Sequence, residues 1–231
     1  MSYTQGKYII LEKKAIAKGI FDLTVLCPEI AQVAKAGQFA QISAEGFFLR
    51  RPISICDINK EKGTIRLVFE VRGHGTDKIS QLNKDSLIDI IAPLGNGFKV
   101  LPNGKKAICV GGGIGTPPMV GIAKEYGKNA VAISGFRTAG IAILQEDFKA
   151  LGANTILCTD DGTAGRHGFV TDALKDCLEN EKPDIIYACG PMPMLKAIVS
   201  LANEYDVETQ VSLEQRMACG VGACLVCVCR T

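Results

Sequence analysis

The chain has 231 residues, 47% hydrophobic and 22% charged, the balance of an ordinary globular protein long enough for two small domains. Its formal net charge of +2 makes no electrostatic case for nucleic acid or for a membrane surface. No basic-then-apolar segment opens the sequence and no apolar run approaches the roughly 18 residues of a spanning helix, so a cytoplasmic protein is expected.

Residues from about Lys7 to Leu94 read as short strands. Tyr8–Ala17 and Ile20–Cys27 flank the turn signal Lys18-Gly19, and Gln38–Ser43 follows Gly37. Thr64–Arg72 alternates, with Ile65, Leu67, Phe69 and Val71 on one face and Arg66, Val68, Glu70 and Arg72 on the other. Strands at this spacing predict a small antiparallel β-barrel over residues 1–101, with one helix inside it, Gly75–Leu82. The turn-rich Leu101-Pro102-Asn103-Gly104 marks a boundary, after which the texture changes. Strand candidates Ala107–Val110, Ala130–Ser134, Thr155–Cys158 and Asp184–Cys189 alternate with helix candidates Met119–Glu125, Leu144–Leu151, Val170–Leu178 and Met192–Tyr205. That alternation predicts a doubly wound parallel α/β domain over residues 102–212. Cys27, Cys56, Cys109, Cys158 and Cys189 lie in or beside apolar strand-like runs, as reduced core thiols do.

Four motifs fall at element ends. Arg51-Pro52-Ile53-Ser54 stands at a strand entry, where an arginine can neutralise a phosphate and a serine hydroxyl can donate to a flavin ring atom. Gly73-His74-Gly75-Thr76 opens the barrel's helix. Each is weak alone, since Arg-Pro turns and glycine-containing helix starts are common. Gly111-Gly112-Gly113-Ile114-Gly115-Thr116 is stronger, because it joins a buried strand to a helix as a phosphate-cradling loop must. Cys189-Gly190-Pro191-Met192 makes a second strand-to-helix junction, and both glycine loops belong at the carboxyl ends of strands, where doubly wound sheets bind ligands. His74 and His167 sit in glycine-flanked loops with no nucleophile beside them, so no catalytic constellation is expected.

Residues 213–231 carry Cys219, Cys224 and Cys227 in a C-x4-C-x2-C spacing interleaved with glycine, the opening of a plant-type [2Fe–2S] loop. Buried structural cysteines would not need such clustering, and zinc ribbons usually offer two separated C-x2-C pairs. A cluster of this kind takes four ligands. The fourth is either Cys229 or a residue beyond Thr231, and the expectation is a truncated, incomplete loop.

In their order along the chain, these motifs resemble the ferredoxin–NADP reductase superfamily. With Glu214-Gln215-Arg216-Met217-Ala218-Cys219-Gly220-Val221-Gly222-Ala223-Cys224 they look like the electron-transfer subunits of type B dihydroorotate dehydrogenases. The resemblance spans essentially the whole chain. It implies an NAD-linked FAD and iron–sulfur oxidoreductase subunit of pyrimidine biosynthesis, with FAD held by Arg51, Pro52, Ile53, Ser54, Val68, Phe69, Glu70, Gly75 and Thr76. It implies NAD at Gly111, Gly112, Gly113, Gly115, Thr116, Cys189, Gly190, Pro191 and Met192, and a [2Fe–2S] cluster on Cys219, Cys224 and Cys227. The implied partner is an FMN-containing dihydroorotate-oxidising subunit, in a heterotetramer. In that family the fourth cysteine follows the third by some fifteen residues. Two other roles would reuse parts of the set: a flavin subunit of an NAD(P)H–ferredoxin oxidoreductase or sulfhydrogenase-like complex, and a non-catalytic redox-sensing or metal-binding module.

Overall fold

A computed structural model describes residues 3–229. The chain separates into two compact units, one made of the residues up to Gly97 together with those from Gln215 on, the other of Phe98–Glu214.

The first unit is a closed six-stranded barrel in the order β1-β2-β5-β4-β3-β6. Its elements are β1 (Thr4–Ala17), β2 (Ile20–Leu26), α1 (Pro28–Val33), β3 (Phe39–Ile42), β4 (Arg51–Asn59), β5 (Thr64–Glu70), α2 (His74–Ser80) and β6 (Leu87–Leu94). Strand β1 makes closure possible because it serves two partners. Residues Ile9–Ala17 pair antiparallel with β2, while Thr4–Ile9 pair antiparallel with β6. The register shifts between Ile10 and Glu12, and such a bulge bends a strand where a barrel must turn. Gly19, at φ +72°, makes the tight return into β2.

The alternation in β5 is realised. Ile65, Leu67 and Phe69 enter the barrel core with Ile10, Leu23, Val25, Ile42, Ile55 and Ile90, and Val71 packs against it. Burying each such side chain is worth about 1.5–3 kcal/mol. Arg66, on the opposite face, grips Asp22 across the sheet, its Nη2 donating to Oδ2 at 2.6 Å and its Nε at 2.9 Å. The barrel holds two helices where one was expected. Helix α1 was missed because Cys27-Pro28 reads as a strand end, yet proline at the first helical turn suits helix entry and Ile30 and Ala31 anchor the short segment in the core.

The second unit is a six-stranded sheet, parallel throughout, in the order β10-β9-β8-β7-β11-β12. Here β7 is Ala107–Gly112, α3 Pro117–Tyr126, β8 Ala130–Phe136, α4 Gln145–Ala150, β9 Asn154–Thr159, β10 Arg166–His167, α5 Val170–Asn180, β11 Ile185–Cys189, α6 Met192–Glu204 and β12 Glu208–Ser212. Strands β7 and β11 are buried along their whole length, as a sheet covered on both faces requires. Ile108, Val110, Ile186 and Ala188 pack with Val170, Leu174, Leu195 and Ile198 of α5 and α6. Tyr187 points the other way, and its hydroxyl meets that of Tyr126 at the end of α3, 2.7 Å away. The order of strands reverses at β7, which places a topological switch point between β7 and β11.

Strands β10 and β12 were not foreseen. Glu208–Ser212 has no apolar run, since it lies at a sheet edge and is only half buried. His167, read as a loop residue, belongs to the two-residue β10 and is exposed.

Candidate functional site

In the first unit the structure brings two separate sequence motifs together. Arg51 opens β4, and its Nη1 donates to the Leu49 carbonyl at 2.5 Å. Its guanidinium lies 4.9 Å from the centroid of Phe47, a stacking partner that the sequence did not single out. The same guanidinium packs on Gly75, where a methyl group would fall 2.5 Å from Arg51 Cζ. Only glycine lets the charge lie against the start of α2. Thr76 is engaged locally: its Oγ1 donates to the Gly73 carbonyl at 2.9 Å and accepts the N–H of Arg72 at 3.0 Å. Its hydroxyl closes the turn. Ile53, Val68 and Phe69 are buried, Ser54 is half-buried, Pro52 is exposed, and Glu70 accepts from Arg72 Nε at 2.7 Å. What the three buried apolar residues can offer a ligand is backbone, with Arg51 supplying the charge.

In the second unit the two glycine loops meet at the switch point, Cys189 standing opposite Gly111 in the β7–β11 ladder. They interlock with almost no side chain between them. A methyl group on Gly115 would fall 2.6 Å from the Cys189 carbonyl carbon, and one on Gly112 would fall 2.5 Å from Met194 Sδ. One on Gly111 would strike Thr116 Cα at 2.6 Å, and Gly190 sits at φ +158° with its own side-chain position facing Met194. Gly113 differs: at φ +54° it has nothing within 4 Å of where a side chain would be, so the loop presents open backbone there. Beside it Thr116 is fully buried, and its Oγ1 has no hydrogen-bond partner. An unpaired buried hydroxyl costs about 1–3 kcal/mol, a cost that a bound acceptor such as a phosphate oxygen would remove. Open glycine backbone and a waiting hydroxyl fit a dinucleotide phosphate. Pro191 and Met192 start α6, both exposed, while burial lifts the Cys189 thiol to about 11. Cys189 is a packed core thiol and no nucleophile.

The cysteine stretch belongs to the first unit and has no helix or strand. Its backbone curls through φ +71° at Gly220, +83° at Gly222 and +59° at Leu225. The curl turns amides inward, and the Cys224 N–H donates to Cys219 Sγ at 3.4 Å. That hydrogen bond, followed by those from the Cys224 side chain and the Val221 amide, pulls the Cys219 thiol down to about 6. Amides aimed at a thiolate are the surroundings that an iron–sulfur ligand needs. Cys224 is exposed, Cys227 half-exposed and Cys229 exposed. Among the described residues no three His, Cys, Asp or Glu side chains gather round one point as a single ion would demand. The stretch offers soft thiols on one curled loop, the donor type that an iron–sulfur cluster takes. No disulfide joins any of the ten cysteines, and Cys27, Cys56, Cys109, Cys158 and Cys189 are all buried.

One buried side chain near this loop was not foreseen. Gln41 of β3 is fully buried beneath Gly220, with neither its amide nitrogen nor its amide oxygen hydrogen-bonded. The only sequence signal for it is a polar residue amid Phe39, Ala40 and Ile42.

No family model matches the chain. Among curated proteins, the dihydroorotate dehydrogenase B (NAD(+)) electron transfer subunit of Listeria welshimeri is 40% identical over 232 residues, covering 97% of this chain and 89% of its own length. The subunit of the same name from Bacillus mycoides is 38% identical over 229 residues, covering 96% and 86%. Among solved structures, a chain from the NADH-dependent reduced ferredoxin–NADP oxidoreductase superposes with a TM-score of 0.86 at 32% identity, covering 96% of this chain and 81% of that one. The ferredoxin reductase of carbazole 1,9a-dioxygenase, at 18% identity and a TM-score of 0.78 over 91% and 69%, shares the fold. A closed antiparallel barrel followed by a parallel α/β unit is thus the ferredoxin reductase architecture. With identity near 40% sustained over nearly its whole length, the chain belongs to the electron transfer subunits of dihydroorotate dehydrogenase B (NAD(+)).

Proposed function

We propose that this chain passes electrons from a dihydroorotate-oxidising, FMN-containing partner subunit to NAD⁺, carrying FAD on its barrel unit and a [2Fe–2S] cluster on its cysteine loop. The observation that carries the reading is the pair of interlocked glycine loops at the switch point, with Gly113 open and Thr116 Oγ1 unpaired. Bound FAD with a cluster would supply the exchange between single electrons and the hydride that NAD⁺ accepts. The protein's residues bind and orient. Arg51, stacked on Phe47 and seated against Gly75, holds a fixed positive charge for the FAD diphosphate. Ser54, half-buried on β4, offers its hydroxyl to the flavin ring, and Pro52, Ile53, Val68, Phe69, Glu70 and Thr76 shape that surface. Gly111, Gly112, Gly113, Gly115 and Thr116 cradle the NAD phosphates, and Cys189, Gly190, Pro191 and Met192 form the opposite wall. Cys219, Cys224 and Cys227 supply three of the four ligands that the cluster takes.

The partner subunit and a heterotetrameric assembly belong to the same proposal. Phe48 is fully exposed, as are Leu225 and Val226 for the most part, and such apolar side chains are what a partner would cover. The likeness to a ferredoxin–NADP oxidoreductase keeps ferredoxin as a second electron donor to be compared. The test is reconstitution of the purified chain with the dihydroorotate-oxidising subunit. Expected are stoichiometric FAD, NADH-dependent dye reduction by the chain alone, and dihydroorotate-dependent NADH formation by the complex, with a mass matching two copies of each subunit. A colourless protein that takes up no FAD, or a flavoprotein that exchanges electrons with ferredoxin and never with the dihydroorotate-oxidising subunit, would overturn it.

A further inference from the structure

Strand β3 alternates: Ala40 and Ile42 enter the barrel core, and Gln41 between them faces the other way. That outward face is covered, for Gln41 has no exposed surface at all. Gly220, the residue after Cys219, lies over it, and a methyl group there would come within 2.8 Å of both Gln41 Cγ and Nε2. At φ +71° and without a side chain, Gly220 leaves the carboxamide directly under the loop backbone. Both ends of that carboxamide are unpaired. A buried amide with two idle ends is costly, so it calls for a partner that the described residues do not provide. An anionic sulfur accepts hydrogen bonds and never donates them, which selects the amide's NH₂ end.

We propose that Gln41 tunes the iron–sulfur centre directly, its side-chain NH₂ donating to a sulfur of the cluster held by the Cys219 loop. The inference rests on the cluster reading above and goes beyond it. Reduction adds one negative charge to the cluster, and a donor fixed in a dry site stabilises the more negative form. Gln41 therefore raises the cluster's reduction potential, hydrogen bonds to the sulfurs being among the terms that set it.

The experiment compares the flavin- and cluster-loaded chain with Gln41→Met, which keeps length and removes both polar ends, and Gln41→Glu, which keeps shape and removes the donors. Iron, sulfide and flavin are counted in each, the cluster and flavin midpoints are titrated separately, and melting is followed before and after chelation of iron. For Gln41→Met the reduced-to-oxidised ratio of the cluster at a fixed potential should fall about tenfold, a shift of 59 mV for one electron. Gln41→Glu should fall at least as far, and the flavin midpoint should hold in both. After chelation Gln41→Met should melt higher than wild type by about 2–4 °C, because the idle amide is gone. With the cluster in place that gain should vanish. Cluster midpoints unchanged in both variants, a shift confined to the flavin, or a chelated Gln41→Met that melts lower than wild type would each overturn the inference. Wild-type protein that holds flavin but no iron or sulfide would overturn the cluster reading itself, a failure distinguished by metal analysis.

Discussion

Gly115→Ala tests the nucleotide loop at its tightest point. The added methyl would stand 2.6 Å from the Cys189 carbonyl carbon and 2.8 Å from Gly190 Cα, where ordinary contact begins at 3.4 Å. Both obstacles are backbone, so no side chain can swing aside. The loops must part by most of an ångström, at a strain of about 1–3 kcal/mol for overpacking a close-packed site. A binding loop displaced by that distance also misplaces its ligand, and misplacement of 1 Å can cost about 10²-fold in rate. Steady-state NADH-dependent dye reduction should therefore show kcat/KM reduced roughly 10- to 100-fold, with FAD content unchanged because Arg51 and Gly75 belong to the other unit. Gly140→Ala is the control: nothing lies within 4 Å of its side-chain position, and kcat/KM should stay within about twofold of wild type. If Gly115→Ala retained wild-type kcat/KM and melting temperature, the loops would not form a rigid cradle and the reasoning from their contact would fail.

Arg51→Ala should weaken FAD retention by about 1.5–3 kcal/mol, roughly 10- to 150-fold in Kd by fluorescence titration, through loss of a charge-assisted contact. Gly75→Ala should weaken it in the same direction, since the methyl displaces the guanidinium, and unchanged FAD affinity in both would remove Arg51 from the site. In cluster-free protein Cys219 should alkylate faster as pH rises through about 6 and level off from about pH 7, while Cys27, raised by burial to about 12, and Cys189 stay inert until unfolding. Peptide mapping of iodoacetamide adducts reads this directly, and a Cys219 rate still climbing at pH 9 would refute the depressed value. Cys219→Ser, Cys224→Ser and Cys227→Ser should each abolish iron and acid-labile sulfide, with Cys229→Ser leaving both; loss on Cys229→Ser would make Cys229 a ligand and overturn the assignment.

Periodicity made most of the fold legible. Strand β5 buried the face that its alternation named, and β7, β8, β9 and β11 lie where continuous apolar runs placed them, because burial on one face or on two imposes those patterns directly. What escaped was short or peripheral. Six-residue α1 is held by Ile30 and Ala31 in the barrel core, so tertiary packing rather than local propensity makes it a helix. Strands β10 and β12 lie at sheet edges, where few side chains are buried and no apolar signal is needed. Gln41 escaped for another reason: nothing in a sequence tells a buried amide from a solvated one, and only the loop over it makes the difference.

The glycine loop shows how one sequence sign can have two physical origins. Read as a string, Gly111 to Gly115 is a phosphate loop in which every glycine clears a path for the ligand. In the fold, Gly111 and Gly115 are glycines because the Thr116 backbone and the Cys189 carbonyl occupy the space that side chains would need, while Gly112 faces the movable end of Met194. Their absence of side chains is demanded by packing at the switch point whether or not anything binds. Gly113 alone, at φ +54° with open space before it, is free to face a ligand, and the unpaired Thr116 hydroxyl is the polar group that packing leaves unexplained. The packing glycines hold two backbone segments in close contact, and that rigidity is what positions the remaining glycine and hydroxyl for recognition. Substitutions at Gly111 and Gly115 should thus register in melting temperature as well as in NADH affinity, whereas Thr116→Val should lower affinity while leaving stability equal or higher, because it removes a buried hydroxyl that has no partner among the described residues.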